Sequence, residues 1–204
     1  MSPEQFIAQK LPLQPLSLWP DIVLHQANAH SGLAAWLEAY GHPAAPYWAY
    51  AWAGGAALAL HLKAHPELVA GKTVLDLGSG SGLVGIAAAK LGAAAVFALD
   101  PDPLAQVATT LNAEANGVAL TLVPTLLHTD IVVAGDVFYD EDSATAVLPL
   151  LKALAQTGTQ VLIGDPYRST RPSEAMREIA RYSVPDMGAK SPVPSGIFAL
   201  IEPL

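Results

Sequence analysis

The segment from residue 73 to residue 88 constrains the fold of this chain more than any other. An apolar run, TVLDL, leads into the glycine-rich stretch GSGSG and then into the small and apolar residues LVGIAA. Such a run is typical of a buried strand, and glycines permit the tight turn that leads from a strand into a helix. The segment therefore predicts a strand–turn–helix unit whose turn lies where α/β sheets bind ligands.

The same alternation of strand-like and helix-like patterns continues along the chain. Strands that alternate with helices favour a mostly parallel sheet covered on both faces. We therefore expect an α/β fold, with a doubly wound, mostly parallel seven-stranded sheet, helices on both faces and a C-terminal antiparallel strand pair. The predicted strands are 72–77, 94–100, 118–123, 129–136 and 159–165, with final strand-like runs around 182–184 and 196–202, and the predicted helices are 54–65, 81–92, 103–117, 142–158 and 173–182.

The first 45 residues lie outside this regular pattern. Residues 1–45 are predicted to form an N-terminal helical and connector extension, and residues 46–204 a single domain. The proline-rich segment 11–20 is interpreted as a connector. Residues 30–40 have a helical pattern, for which Ser31 is the candidate N-cap.

Composition excludes several classes of function. The chain has no cysteine, which rules out disulfides, thiolate metal sites and cysteine nucleophiles, and its six histidines show no metal-ligand spacing. A net charge of -8 without a Lys/Arg cluster argues against a nucleic-acid partner. The longest apolar runs fall short of the roughly 18 residues of a membrane span, and the N-terminus lacks a secretory signal pattern. We expect a cytoplasmic protein without a metal or a membrane partner.

Two cofactor patterns overlap in the glycine-rich turn. Residues 80–85 match G-x-G-x-x-G, a dinucleotide fingerprint, and Asp100 follows at the appropriate spacing. Residues 76–82 also read D-x-G-x-G-x-G, and Asp76 would repel the pyrophosphate of a dinucleotide. At about 4 Å and an effective dielectric of about 20, that repulsion costs about 4 kcal/mol. The ammonium and sulfonium of S-adenosylmethionine would instead be attracted, so the pattern favours this cofactor, with NAD as the alternative.

The candidate cofactor-binding residues lie in this turn and at neighbouring strand ends. Asp100 ends the second strand of the unit, where its carboxylate can accept hydrogen bonds from ribose hydroxyls. The aromatic segment PYWAYAW supplies a possible wall, in which a ring can stabilise a sulfonium through cation–π contact. The predicted set on these grounds is Trp52, Asp76, Gly78, Ser79, Gly80, Gly82, Asp100, Pro101 and Gly135.

The strand that ends at residues 134–139 is predicted to supply the acceptor site. The Asp136 carboxylate can accept N–H bonds from an incoming amine, and the Tyr139 hydroxyl can orient its lone pair, so these two are the candidate catalytic residues. Arg168 is expected either to meet a carboxylate on the acceptor or to pair with a nearby acid. The further candidates for substrate binding are Tyr47, Trp48 and Asp165.

Four blocks of sequence together carry a more specific signal. In order, PYWAYAWAGGAAL, GKTVLDLGSGSGLVGIAA, AGDVFYDED and VLIGDPYR closely resemble the electron-transfer flavoprotein β-subunit lysine methyltransferase family. The resemblance runs from about Pro46 to the C-terminus. It implies a seven-strand, class I protein lysine N-methyltransferase that uses S-adenosylmethionine. It also implies that Asp136, Phe138 and Tyr139 lie at the acceptor site and that Asp100 binds the cofactor ribose.

Two departures from the family pattern affect these expectations. The segment 124–129 is short and contains no acidic or amide residue, so we expect apolar contacts from Leu126 and Leu127 to hold the adenine. In addition, Tyr167 of the fourth block, VLIGDPYR, stands where the family commonly has glycine. The bulkier side chain is expected to narrow the acceptor mouth.

These observations favour methyl transfer from S-adenosylmethionine to a lysine ε-amine of a protein partner, with the β-subunit of electron-transfer flavoprotein as the candidate. A small-molecule N-methyltransferase is the main alternative, and in that case the aromatic segment would close the pocket. An NAD-dependent oxidoreductase and a non-catalytic cofactor-binding protein are the remaining alternatives.

Overall fold

The structure, a computed structural model, describes residues 1–201 of the 204-residue chain. Its helices and strands are bounded as follows: α1 Pro3–Lys10, β1 Leu13–Leu16, β2 Trp19–His25, α2 Leu33–Tyr40, α3 Ala53–Ala64, β3 Thr73–Leu77, α4 Leu83–Lys90, β4 Ala95–Leu99, α5 Pro103–Ala115, β5 Thr121–Leu122, β6 Ile131–Gly135, α6 Glu141–Gln156, β7 Gln160–Asp165, β8 Met176–Val184 and β9 Val193–Leu200. Glu202, in the predicted final strand, lies outside the described residues.

The main sheet has seven strands in the order β5-β4-β3-β6-β7-β9-β8. Strands β3 to β7 run parallel, whereas β9 is antiparallel to β7 and β8 is antiparallel to β9. The predicted fold class is therefore confirmed, including the C-terminal antiparallel pair. The chain adds β4 and β5 on one side of β3 and then β6 and β7 on the other, so the strand order reverses between β3 and β6.

Helices cover both faces of this sheet. Alternate residues of each parallel strand are buried against opposite layers, as Val74 and Leu75 show: Val74 packs with α3 and α4, and Leu75 packs with α6. Because both faces are covered, the central strands are apolar throughout rather than alternating with polar residues. This burial explains why the apolar runs of the sequence located the strands.

The N-terminal segment differs from the prediction. Residues 11–20 do not form a connector, because β1 and β2 pair as an antiparallel two-stranded sheet. Helix α1, which the sequence did not reveal, packs with α2 and α5 through an apolar cluster that includes Phe6 and Ile7. Ser31 does not cap α2, since its hydroxyl instead accepts the Asn28 N–H and the cap position is Gly32.

The predicted helix at 173–182 is also wrong. A short 3₁₀ turn at Ser173–Ala175 leads into the edge strand β8, which pairs with β9 along its length. Glu, Ala, Met and Arg favour helices, but pairing with β9 overrides this local preference. The exposed charged side chains Arg177, Glu178 and Arg181 then protect a free sheet edge from pairing with other chains.

A close approach of backbones joins α3 to the centre of the sheet. The first turn of α3 lies against the ends of β6 and β7, and a Cβ on Gly135 would lie 2.7 Å from the Gly55 Cα. A Cβ on Gly54 would lie 2.8 Å from the Gly164 carbonyl carbon. No side chain fits between these elements, so the glycines of the AGG, AGD and IGD sequences place the start of α3 directly over the carboxyl ends of the strands.

No helix within residues 1–201 is both long enough and apolar enough to cross a bilayer.

Neighbouring glycines of α3 provide a matched test of this close approach. Gly54→Ala is expected to lower the free energy of unfolding by about 1–3 kcal/mol, because the new methyl group would overlap β7. Gly55→Ala places its methyl group 3.7 Å from Leu83 and Val84, at ordinary contact distance, and is expected to be neutral or stabilising by up to about 1 kcal/mol. Urea denaturation of the two variants measures the difference, and equal losses of stability would contradict this account.

Candidate functional site

A cavity of about 910 Å³ opens at the carboxyl ends of β3, β4 and β6, where the strand order reverses. This is the position at which open α/β sheets bind their ligands, and the volume lies near the top of the roughly 300–1,000 Å³ typical of ligand pockets. Most of the residues predicted from the sequence meet here. Those that line the cavity are Tyr47, Trp48, Trp52, Asp76, Gly78, Ser79, Gly80, Asp100, Pro101, Gly135, Asp136, Tyr139 and Arg168.

The glycine-rich turn forms one wall of the cavity. Gly78, Gly80 and Gly82 have φ values of 69°, 52° and 78°, in the left-handed region that favours glycine. The N–H groups of Gly78 and Ser79 donate to the Leu99 carbonyl at 2.8 and 3.3 Å, which ties the turn to β4. The turn therefore presents backbone to the cavity without side chains that would fill it.

Asp76 lies in β3 just before the glycine-rich turn and lines the cavity. The residue is 1% exposed, and its Oδ2 accepts the Gly85 N–H at 2.8 Å. Burial raises the pKa of Asp76 to about 7, and the neighbouring Asp100 adds to that rise. A buried carboxyl of this kind gains from a cation placed in the cavity, because a positive charge stabilises its ionised form.

Asp100 stands at the end of β4, on the opposite side of the turn. Its Oδ2 accepts the Gly80 N–H at 2.8 Å, and its Oδ1 accepts the Asp102 N–H at 2.9 Å. Burial raises the pKa of Asp100, although these hydrogen bonds oppose the rise. A carboxylate has about four acceptor positions, so each oxygen keeps capacity for a hydroxyl donor from a ligand.

Asp136 occupies the junction between α3, β6 and β7. Its φ of 58° is left-handed, an uncommon conformation for a non-glycine residue that clusters at functional sites. Its Oδ2 accepts the N–H groups of Gly54 and Gly55, the latter at 3.3 Å. Its Oδ1 accepts Nε and Nη2 of Arg168 at 2.9 and 2.6 Å. Burial raises the pKa of Asp136, and the Arg168 guanidinium opposes the rise.

The sequence analysis expects Arg168 either to meet a carboxylate on the acceptor or to pair with a nearby acid. In the structure it pairs with a nearby acid, Asp136. The sequence analysis did not identify this acid as Asp136, and the ion pair means that the carboxylate does not stand free to receive an amine. The signal was partly present, since the AGD and IGD-PYR blocks both follow strands that end at the same edge.

Aromatic rings form the mouth of the cavity. The Tyr47 and Tyr139 ring centroids are 4.6 Å apart, and the Trp52 indole N–H donates to the Tyr47 carbonyl at 2.7 Å. Tyr47 and Tyr139 are 43% and 42% exposed, whereas Trp48 is only 1% exposed and forms an inner wall. The segment 46–52 is therefore part wall and part rim, and its rings do not cover the opening.

Five predicted site residues do not line the cavity, namely Gly82, Leu126, Leu127, Phe138 and Asp165. Phe138 is fully buried in the core on the α6 side of the sheet, where it packs with the apolar residues of α6 and β7. Gly82 is the N-cap of α4 and lies against Thr109. Leu126 packs against the core on the α6 side, and Pro124 is the residue of the 124–129 segment that lines the cavity. Asp165 is also fully buried, and its Oδ1 accepts the Arg168 backbone N–H at 2.8 Å. Burial raises the pKa of Asp165 to about 6.

Sequence reasoning missed an apolar wall supplied by α6. The first half of this helix is only partly buried by the sheet, and Ala146, Val147 and Leu150 line the cavity instead. The signal was the run AVLPLL, which carries more apolar residues than one sheet-facing stripe requires. The sequence analysis also missed polar residues that line the cavity, and these had no comparable signal: His42, Asp102, Gln106 and Ser143.

Within residues 1–201, no group of three or more His, Asp or Glu side chains is arranged to hold a metal ion.

The raised pKa of Asp76 gives a prediction about stability. Because its pKa of about 7 in the folded protein exceeds the roughly 3.9 of an unfolded aspartate, the folded state holds an extra proton between these values. The contribution of Asp76 to the free energy of unfolding therefore falls as the pH rises from about 4 to 7. Asp76→Asn keeps an acceptor for the Gly85 N–H and should make this fall shallower in urea titrations at several pH values. An unchanged slope would contradict the assignment.

Comparison with known proteins places this site in context. Residues 58–144 match the family described as Ribosomal protein L11 methyltransferase. The electron transfer flavoprotein beta subunit lysine methyltransferase of Rattus norvegicus is 42% identical over 153 residues, which cover 69% of this chain and 60% of that protein. The Homo sapiens protein of the same name is 47% identical over 133 residues, or 60% of this chain and 50% of that protein. The chain thus spans about half to three-fifths of these curated relatives.

A solved structure agrees with these sequence matches at the level of the fold. The ribosomal protein L11 methylase of Lactobacillus delbrueckii subsp. bulgaricus aligns with a TM-score of 0.51 and 24% identity, covering 75% of this chain and 81% of that chain. The resemblance that the four sequence blocks indicated is confirmed by the matches to the rat and human proteins. The chain therefore belongs to the family of the electron transfer flavoprotein β-subunit lysine methyltransferases.

Proposed function

We propose that this protein transfers a methyl group from S-adenosylmethionine to a lysine ε-amine on a protein, with the β-subunit of electron transfer flavoprotein as the acceptor. The observation that carries the proposal is a single cavity at the strand-order reversal that brings Asp76 and Asp100 beside a glycine turn and places Asp136 and Tyr139 opposite them. The homologues named for this activity support the choice of acceptor.

The lining of the cavity fits a cofactor that carries positive charge. Asp76 is suited to the ammonium and sulfonium, because either cation would offset the cost of ionising a buried carboxyl. Asp100 keeps acceptor capacity for ribose hydroxyls, and Pro101 lies beside it. Pro124 and the apolar side of α6, at Val147 and Leu150, supply a surface for adenine. A dinucleotide would instead bring its pyrophosphate to this acidic wall.

On the acceptor side, the chain's own residues have to position an amine and exclude water. When bound, S-adenosylmethionine supplies a methyl carbon that is activated by an adjacent sulfonium. Tyr139 can align the amine through its hydroxyl, and alignment of two reactants is a large part of the rate gain in such displacements. Asp136 can attract the lysine as an ammonium, and the low-dielectric cavity together with a bound cation favours transfer of its proton to the Asp136 carboxylate or to water. Trp48 and Trp52 shield the site from solvent.

The form of the mouth favours a protein acceptor over a free small molecule. The rings of Tyr47 and Tyr139 stand at the opening and are more than 40% exposed, so they border the entrance without closing it. A pocket for a small molecule normally encloses most of the ligand surface. Asp140, Glu141 and Asp142 follow Tyr139 at the start of α6 and are exposed, which suits the basic surface around a lysine.

Incubation with S-adenosylmethionine and purified electron transfer flavoprotein tests the activity. We expect mass spectrometry to find methyl groups on lysine of the β-subunit. Asp136→Asn should reduce turnover at least about 100-fold, the lower range for a group that transfers or positions a reacting proton, while retaining cofactor binding. Asp21→Asn makes the same change at an exposed site on β2 and should leave turnover unchanged. Full turnover by Asp136→Asn with cofactor bound would remove Asp136 from the mechanism.

Ligand-induced stabilisation tests the cofactor separately. S-adenosylhomocysteine should raise the midpoint of thermal unfolding progressively as its concentration increases, and NADH at equal concentration should not. Asp100→Ala should reduce the shift given by S-adenosylhomocysteine, because the ribose loses its carboxylate partner. A larger shift with NADH would favour the dinucleotide alternative, and a shift without transfer to any acceptor would favour a non-catalytic cofactor-binding protein.

A further inference from the structure

All of the acceptor capacity of Asp136 is already in use. A carboxylate offers about four hydrogen-bond positions. Here they face four N–H donors: the backbone groups of Gly54 and Gly55 on Oδ2, and Nε and Nη2 of Arg168 on Oδ1. The residue itself is only 7% exposed. An amine that binds to this carboxylate must therefore replace one of the groups now bound to it.

The two backbone donors cannot leave. Gly54 and Gly55 form the first turn of α3, which is held against Gly135 and Gly164 with no room between the backbones. The Asp186 carboxylate also accepts the Ala53 N–H at 3.2 Å and fixes the start of the same helix. Movement of these donors would require α3 to separate from the sheet.

The two guanidinium donors belong to a side chain that can move. The Arg168 side chain is 26% exposed, against 6% for that of Asp136, and it lines the cavity. Its backbone is anchored independently, because Asp165 Oδ1 accepts the Arg168 N–H at 2.8 Å. The guanidinium can therefore leave Asp136 by rotation of its own side chain while the loop stays in place. The Trp52 ring, whose centroid is 6.0 Å from the Arg168 Cζ, offers a nearby surface for a displaced cation.

We propose that Arg168 is a tethered competitor for the acceptor amine: its guanidinium holds the Oδ1 side of Asp136 in the free protein, and the acceptor lysine binds by displacing it. This inference rests on the proposed function and adds a positioning and specificity role for Arg168. Small amines bind with little energy and must overcome the full cost of that displacement. A protein acceptor gains contacts over its whole docking surface, so it can open the site where a small amine cannot.

The first test measures binding of n-butylammonium, which resembles the end of a lysine side chain, to the full chain with and without S-adenosylhomocysteine. Arg168→Ala is expected to bind this probe about tenfold more tightly than the wild type, since a competitor reduces the apparent affinity to the fraction of sites that it leaves free, here about one in ten. Arg168→Gln removes the charge with a smaller loss of volume and should show the same direction. Arg177→Ala removes an equal charge from an exposed position on β8 and should change nothing.

Guanidinium ion at low concentration provides the second test, because it can restore the missing group. In Arg168→Ala it should compete with n-butylammonium, and in the wild type it should have no effect. If both Arg168 variants fold and neither binds the probe more tightly than the wild type, the proposal is overturned. It is also overturned if guanidinium increases probe binding by the variant, since Arg168 would then help to hold the amine.

These binding measurements separate this inference from the proposed function. They require no methyl transfer, so tighter probe binding by Arg168→Ala supports the displacement even if electron transfer flavoprotein is not methylated. Conversely, methylation of that protein together with unchanged probe binding in both variants supports the activity and contradicts the role of Arg168.

Discussion

The site depends on one interaction, in which the Asp136 carboxylate accepts the backbone N–H groups of Gly54 and Gly55 at the start of α3. The carboxylate joins three elements: the end of β6, where the residue itself lies, the first turn of α3, and the Arg168 loop after β7. The N-terminus of a helix carries partial positive charge and unpaired N–H groups, so a carboxylate from elsewhere in the chain satisfies both. Because Trp52 and the aromatic segment precede α3 directly, this contact also places the mouth of the cavity.

The same position explains why an uncommon backbone conformation is maintained. Asp136 has a left-handed φ of 58°, and Tyr167, in the loop that carries Arg168, has one of 61°. Such conformations cost of order 1–3 kcal/mol each and persist where the surroundings impose them. The close glycine contacts between α3, β6 and β7 supply that constraint. The structure thus stores strain at the Asp136 end of the cavity, whereas the parallel strands around it are regular.

The cavity gathers carboxyl groups that are costly to ionise in the free protein. Burial raises the pKa of Asp76, Asp100 and Asp136. Evolution commonly retains such unfavourable groups where function needs them. Under the proposed function, Asp76 would face a cationic cofactor, Asp100 its ribose hydroxyls and Asp136 the acceptor amine. The net charge of -8 would likewise attract a partner with a basic surface.

Much of this architecture could be predicted from the sequence because the strands are buried on both faces and read as apolar runs between glycine and proline signals. The predictions failed where distant contacts decide the outcome. The segment 11–20 looked like a connector because Pro15 and Pro20 disfavour strands, yet both lie in the short hairpin, which has free edges where proline is tolerated. The pairing of Asp136 with Arg168 and the apolar wall from α6 depend on tertiary packing that spacing along the chain does not reveal.

The central claim is that a bound cation stabilises the ionised form of a buried carboxyl group in this cavity. The ionisation of Asp76 tests this claim most directly. Carboxyl NMR can follow the titration of this side chain in the free protein and in the presence of S-adenosylmethionine. We predict a pKa near 7 in the free protein, as burial dictates, and a pKa well below that value in the complex, because the bound ammonium and sulfonium favour the ionised form. A pKa that stays the same when the cofactor binds would contradict the account.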